Sequence, residues 1–559
     1  MSDIRRSILW VIFGFSMVLI WDKWQVYSGK APTFFPSPAA VTKAADAPVP
    51  AEAPTAALAA KPGDVPAGAA SSVPREKITV SSDVLQLTFD TEGGSLVGAH
   101  MLKHASVTGL DKNEAFVPLK LLSQEEGHTY VAQTGLIGGN FPSHKTPMRL
   151  VSSAKSLPDG QDSLTVRFES VPLDGVVLAK TYTLKRGAYD VLVKHEVLNR
   201  GSAAIKPQLY LQLVRDGSKG SSETPFYSTF TGPAVYSSTA KFEKIEFADI
   251  DKNKVKFQKT ATDGYVSMVQ HYFASAWLLG EGLERENFVR KIDNNLYSVG
   301  MIAAVPTIEP GQTQAVESRL FVGPQAEKTL EVLTPGLELV KDYGWVTILA
   351  KPLYWLLERI HSLVNNWGWA IVLLVVLIKA AFYWLNASAY RSMAKMKAIN
   401  PRIQEMRERL KSNPQQMQME MMKIYREEKV NPLGGCFPIM IQIPVFIALY
   451  WVLLASVEMR NAPWAVWITD LSTPDPYYIL PFVMALTTVV QTALNPLPPD
   501  PMQAKLMWFM PLAFSVMFFF FPSGLVLYWI TNNALTIAQQ AFINHRMGVP
   551  LKFNMPSFK

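Results

Sequence analysis

Lys379 lies ten residues into an apolar run of the last third of this 559-residue chain. A cation near the centre of a bilayer costs roughly 2.5–3.5 kcal/mol, so it needs a wet or protein-lined neighbourhood. Helical spacing puts Lys379, Tyr383 and Asn386 on one face of that run. Met484, Thr488, Gln491 and Asn495 share a face of another run, Tyr528, Asn532, Thr536 and Gln539 of a third, and Gln442 falls early in a fourth. Such side chains can hold water, donate hydrogen bonds and attract an anionic segment. They are not a set for making or breaking covalent bonds. The chain carries no Walker-type phosphate loop, and Cys436 is the only cysteine, which excludes an intrachain disulfide and a cysteine metal site. No cofactor or metal is expected, and the chain is not expected to be an enzyme.

Six apolar runs must position these residues. "MSDIRRSILWVIFGFSMVLIWDKW" sets Arg5 and Arg6 before a run long enough to span, and no small-residue cleavage site follows promptly, so residues 1–27 are expected to be an uncleaved anchor. Five further spans are expected at Trp369–Leu385, Phe437–Ala455, Tyr478–Leu494, Leu506–Phe521 and Leu525–Ile543, forming a core over 369–543. Between anchor and core, 28–76 is an Ala/Pro-rich linker that cannot bury a core. Residues 77–334 alternate apolar and polar between Gly, Asp and Asn turns, as in "VVLAKTYTLKRGAYDVLVKHEVLN", the period of a large β-sandwich. Over 337–364, Trp345, Ile348, Leu349, Leu353, Leu356, Leu357 and Ile360 recur at helical spacing, with Pro352 as a break and Lys341, Lys351, Glu358 and Arg359 as a polar side, which reads as an interfacial helix.

The segment from Asn386 to Gly435 carries ten Lys and Arg, whereas Val457–Pro476 has Arg460 alone. Positive-inside counting sets the former, the N-terminus and the tail 544–559 in the cytoplasm, and the β-domain outside. The basic segment 387–435 reads as a hairpin of two helices, Ala387–Leu410 and Gln415–Lys429, punctuated at Asn413–Pro414 and Asn431–Pro432 and rich in methionine (Met393, Met396, Met406, Met417, Met419, Met421, Met422). With these directions most of the intramembrane polar groups fall in the middle or the cytoplasmic half of their spans. The expected result is a hydrated cavity open to the cytoplasm and shut toward the outside. Snorkelling explains Lys379 alone, but not the one-sided distribution over four spans. The net charge of +7 sits beside apolar runs and accompanies no nucleic-acid module, so no specific nucleic acid sequence is expected as a partner.

The runs "AYRSMAKMKAINPRIQEMRERL", "EEKVNPLGGCFPIMIQIPVFIALYW", "DPYYILP", "DPMQAKLMWFMP" and "FPSGLVLYWITNN" resemble the YidC membrane insertases of Gram-negative bacteria. The resemblance implies a multi-span α-helical protein with six transmembrane helices, a five-helix core and a periplasmic all-β supersandwich. It implies an inner-membrane insertase and chaperone that moves substrate transmembrane segments into lipid, alone or with the Sec translocon. Nascent inner-membrane proteins, ribosomes, signal recognition components and membrane lipid are the implied partners. Substrate contacts would carry over to Phe446, Met484, Phe518, Tyr528 and Trp529. The family's groove cation is typically arginine, and here Lys379 keeps the charge without the bidentate fork. "LGGC" at Leu433–Cys436 resembles a lipoprotein box, but it lies inside the chain on the cytoplasmic side. The alternatives to an insertase are a solute transporter or channel using the intramembrane lysine and a membrane-bound sugar-processing enzyme, for which no acid–base pair stands out in 77–334.

Overall fold

The computed structural model describes residues 65–66, 75–107, 115–218, 229–410, 413–428, 437–495, 501–548 and 553. The anchor expected at 1–27, Asn431–Pro432 and Cys436 lie outside them.

From Lys77 to Pro324 the described chain forms two nine-stranded antiparallel sheets. The first has His128–Ile137, Gln208–Asp216, Leu296–Ala304 and Arg285–Asp293 as successive neighbours. The second has Phe273–Leu279, Thr313–Pro324, Asp190–Asn199 and Val176–Lys185. The alternation in the sequence is the cause. In "DVLVKHEVLN" Val191, Val193, His195 and Val197 alternate with less buried neighbours, and all four point into the space between the sheets. One continuous apolar core, including Leu209, Leu211, Leu213, Val193 and Leu320, fills that space.

Polar side chains stitch the sheets through this core. Trp277 donates to the Gln212 carbonyl (3.1 Å), and the Tyr130 hydroxyl meets Ser275 Oγ (2.5 Å). Lys180 Nζ, fully buried, donates to the carbonyls of Gly93 (2.6 Å) and Thr134 (2.7 Å), and His195 Nε2 lies 3.0 Å from Thr134 Oγ1. Burial pushes Lys180 down to about 7 and both His195 and His144 down to about 3, because a charged form has no water there.

After a short helix α1 (Glu327–Leu333), the chain reaches α2 (Thr347–Val364), α3 (Trp367–Ala381), α4 (Tyr383–Arg409), α5 (Pro414–Glu427), α6 (Phe437–Ala455), α7 (Ile479–Leu494), α8 (Pro501–Met517) and α9 (Ser523–Arg546). Among the described residues no single helix is long and apolar enough to cross a membrane. The pair Trp367–Ala381 and Tyr383–Ser392 passes that test together with a bend of 66°, and Gln442–Ala455, Ile479–Leu494 and Ala504–Phe520 are shorter apolar helices. This corrects the continuous Trp369–Leu385 helix. It ends at Phe382, whose amide bonds back to Ile378 and Ala380, and no proline or glycine marks the break.

α2 also differs from expectation. It runs through Pro352 instead of breaking there, and it starts after Lys341. Its buried face is Ala350, Tyr354, Leu357 and Ile360, while Ile348, Trp355 and Leu363 are exposed, so Ile348 does not share the face of Leu357. Lys341 is not on a polar side. Its side chain is wholly buried, with Nζ 3.5 Å from Glu458 Oε2 and 3.8 Å from the Tyr354 ring centroid. Tyr354 donates to Glu458 (2.7 Å) and Tyr343 to Glu327 (2.6 Å). Burial lowers the lysine's pKa and the surrounding carboxylates oppose that shift.

In the α4–α5 hairpin, Asn413 caps α5 by accepting from the Gln416 amide (3.2 Å), with Pro414 at the first helical position. Met396, Met406, Met417 and Met421 pack with Ile399, Ile403 and Ile424 between the helices, whereas Met419 and Met422 face outward. Arg402 pairs with Glu427 and Glu428, and Arg409 with Glu420.

Candidate functional site

α3 begins with Asn366, whose side chain accepts from the Trp369 amide (3.0 Å), and carries Lys379 in its last turn. Lys379 Nζ donates to Thr536 Oγ1 (2.8 Å) and Gln442 Oε1 (3.4 Å). Gln442 Nε2 in turn donates to Asn532 Oδ1 (3.0 Å) and the Tyr528 hydroxyl (3.3 Å), and Thr536 Oγ1 to the Asn532 carbonyl (2.7 Å). Three helices, α3, α6 and α9, thus join one polar network. The spacing of Tyr528, Asn532 and Thr536 explains the α9 contribution, since all three fall on one helical face. Among the described residues, no carboxylate is bonded to Lys379.

The remaining lining residues divide. Gln539 donates to the Tyr383 carbonyl (3.2 Å), which ties α9 to the start of α4. Asn386 is buried on α4, beyond the bend at Phe382. Thr488 belongs to a different seam, in which Asn533 Nδ2 donates to Thr487 (3.2 Å) and Thr488 (3.1 Å), and Gln540 to the Leu494 carbonyl (3.3 Å). Gln491 is half-buried one turn farther along α7. The sequence grouped these amides as one lining; packing sorts them into a network around Lys379 and a seam between α7 and α9.

Four of the five expected substrate contacts form an aromatic stack, and Met484 belongs to the same apolar cluster. Phe446 lies 4.6 Å from Trp529 and 6.0 Å from Tyr528 between centroids, and Phe518 lies 5.2 Å from Trp529. Phe446 and Trp529 are half-buried, whereas Met484, Phe518 and Tyr528 are buried. Contact with those three therefore requires the helices to part.

Sequence reasoning missed a cap at the helix ends opposite the Lys379 end of α3. The segment 460–478 folds across the starts of α3, α7 and α9. The Ser523 amide donates to Thr473 O (2.7 Å), Gly524 to Leu471 O (2.9 Å), and Asn366 Nδ2 to Pro463 O (3.1 Å). Trp464 sits so close to Gly368 that a Cβ there would lie 2.2 Å from its indole. Buried Asp475 accepts from Trp467 Nε1 (3.1 Å) and from the amides of Tyr477 (3.0 Å) and Leu480 (2.7 Å), which satisfies the first turn of α7. The DPYY and FPSG turns were the available signals.

Family models cover both halves: the YidC periplasmic domain matches residues 77–356 and the 60Kd inner membrane protein family matches 359–549. The chain is 53% identical to a membrane protein insertase YidC of Ralstonia nicotianae over 98% of this chain and 99% of the relative. It is 52% identical to those of Burkholderia ambifaria (98% and 99%) and Cupriavidus metallidurans (98% and 98%). Among solved structures, an active YidC insertase crystal structure with its first transmembrane domain resolved aligns at 18% identity over 83% of this chain and 92% of that one, TM-score 0.37. A putative aldose 1-epimerase from Escherichia coli K12 aligns at 10% identity over 44% and 99%, TM-score 0.27. Scores of this size add nothing further. On the family models and the full-length relatives, the chain belongs to the YidC family of membrane protein insertases.

Proposed function

We propose that the chain inserts nascent inner-membrane proteins through a hydrophilic groove open to the cytoplasm, lined by the Lys379 network and shut on the periplasmic side by segment 460–478. The observation that carries this reading is the junction of Lys379, Gln442, Asn532 and Thr536 in one network with an aromatic stack and a capping loop beyond it. A polar segment of a substrate leaves the cytoplasm for the groove without first meeting hydrocarbon, and its apolar segment passes along α6, α8 and α9 into lipid. Lys379 attracts acidic residues in transit, and a membrane potential positive outside favours their outward passage by roughly 2.3 kcal/mol per charge per 100 mV. Burial of apolar groups in lipid supplies about 0.8 kcal/mol per CH₂, so no nucleotide is needed.

The topology of this reading has six spans, with the anchor at 1–27, linker at 28–76, periplasmic domain at 77–334, interfacial helix at 337–364 and core at 369–543. Both termini and the hairpin 387–435 are cytoplasmic. The first core span is the bent α3–α4 pair. The exposed Ile348, Trp355 and Leu363 of α2 suit a helix lying at the outer headgroup boundary. The hairpin receives ribosomes and signal recognition components, and the core works alone or beside the Sec translocon.

The test uses single cysteines at Lys379, Gln491 and Asn532 in a Cys436→Ser background, labelled with an impermeant maleimide. Labelling from the cytoplasmic side alone is expected. Dry positions, or equal labelling from both sides, would remove the groove.

A further inference from the structure

The sheet containing Gln208–Asp216 has a second face, turned away from the sandwich core. Ile137, Tyr210, Phe288 and Ile302 form a separate apolar cluster there, and its fifth member is Val65, which is 0% exposed. Val65 comes from a linker too poor in apolar residues to build a core, so its burial depends on the sheet. Strand register puts Tyr210 beside Ile302, and Phe288 beside Gly300. A Cβ at Gly300 would lie 2.4 Å from the Phe288 ring, so the glycine lets that ring lie across the sheet. Tyr210 is fixed by its hydroxyl, which accepts from the His144 amide (2.9 Å) and meets His144 Nδ1 (2.6 Å). Arg290, 5.6 Å from the Phe288 centroid, donates from Nη2 to the Val65 carbonyl (2.8 Å).

The groove therefore reads a side chain and the backbone carbonyl beside it. Pro66 follows, and the chain bends at Val65. Proline-rich segments dock on aromatic grooves because they lose little entropy in doing so. Val-Pro occurs three times in the linker, at Val49–Pro50, Val65–Pro66 and Val73–Pro74, of which the second is described.

We propose that this groove binds Val-Pro segments, that the chain's own linker fills it at Val65, and that it accepts the same motif from another polypeptide once the linker leaves. A tethered occupant competes at a local concentration in the millimolar range, so a free peptide binds weakly until the tether is removed.

The experiment titrates a fluorescein-labelled peptide of residues 61–68, KPGDVPAG, against the full chain in nanodiscs. The proteins are the wild type and a variant carrying Val49→Asp, Val65→Asp and Val73→Asp, which prevents a neighbouring repeat from refilling the site. Anisotropy should show about tenfold tighter binding to the variant than to the wild type. Adding Arg290→Gln should reverse most of the gain, and a peptide with Asp in place of valine should not bind. Equal affinity of the two proteins, equal affinity of the two peptides, or no binding by a variant with an unchanged thermal transition would each overturn the proposal. Should that variant unfold, Val65→Ala replaces it: faster proteolysis of the linker near residue 65 supports the docked state, and an unchanged rate overturns it.

Discussion

The sandwich and the helical core are built on opposite distributions. In the sandwich, Val193, Leu211 and Leu320 are hidden, and the few buried charged groups such as Lys180 are held by hydrogen bonds. In the core, Trp369, Leu377, Phe482 and Leu486 are exposed, while Asn532, Asn533 and Thr536 are buried. Both obey one rule, that each group meets a medium able to solvate it. The difference lies in what the buried polar groups are for. Those of the sandwich bond across two sheets and close it. Those of the core leave Lys379 with neutral partners and no bonded carboxylate among the described residues, which is the arrangement that the proposed attraction of acidic substrate segments needs.

The contrast is broken most severely by reversing that charge. Lys379→Glu should lower insertion of a substrate with an acidic periplasmic segment by about tenfold or more, since roughly 1.4 kcal/mol corresponds to tenfold and the intramembrane charge cost exceeds that. Lys379→Arg should retain activity. Protease protection of the substrate in proteoliposomes measures both, and equal behaviour of the two variants would remove the role of the charge.

A neutral core change comes next. Gln442→Leu strands the Tyr528 and Asn532 side chains and takes one partner from Lys379, so stability should fall by about 1–3 kcal/mol in denaturant titration, with insertion reduced several-fold.

The sandwich should answer to pH instead. The unfolded chain binds more protons than the folded one between pH 6.5 and about 3 at His144 and His195. Their stabilising neutrality is therefore intact above 6.5 and is lost progressively as pH falls, by about 1.4 kcal/mol per unit per histidine. His195→Gln should shrink the loss of thermal stability between pH 6.5 and 5 by its share. For Lys180 the same sign places the gain between about pH 7 and 10.5. A flat profile through both windows would mean that water reaches the inter-sheet space.

Gly368→Ala tests the cap. Trp464 must shift to admit the methyl group, at a cost of about 1–3 kcal/mol, and periplasmic labelling near Trp464 should increase. The smallest effect belongs to Arg409→Ala, whose exposed pair with Glu420 is worth under about 1 kcal/mol.

Much of this was legible in the residues. Period-2 alternation announced the sandwich because one face of each strand meets a core, and the 528–532–536 spacing announced the polar side of α9. The bend at Phe382 was not legible, because nothing in "KAAFYWLN" breaks a helix locally. The same holds for Thr488. Helical spacing put it on a face with Gln491, but which neighbour that face meets depends on how α7 leans on α9. Lys341 misled for a related reason: a lysine near an amphipathic run is usually solvated, and its half-buried partner Glu458 lies more than a hundred residues away.

That ion pair has a mechanical consequence. Lys341 lies in the connector between the sandwich and α2, and Glu458 in the turn just after α6, so the pair ties that connector to the helical bundle. Prising the two apart would leave an ammonium and a carboxylate stranded among tyrosines, so a pull on the sandwich passes through Glu458 into the base of segment 460–478.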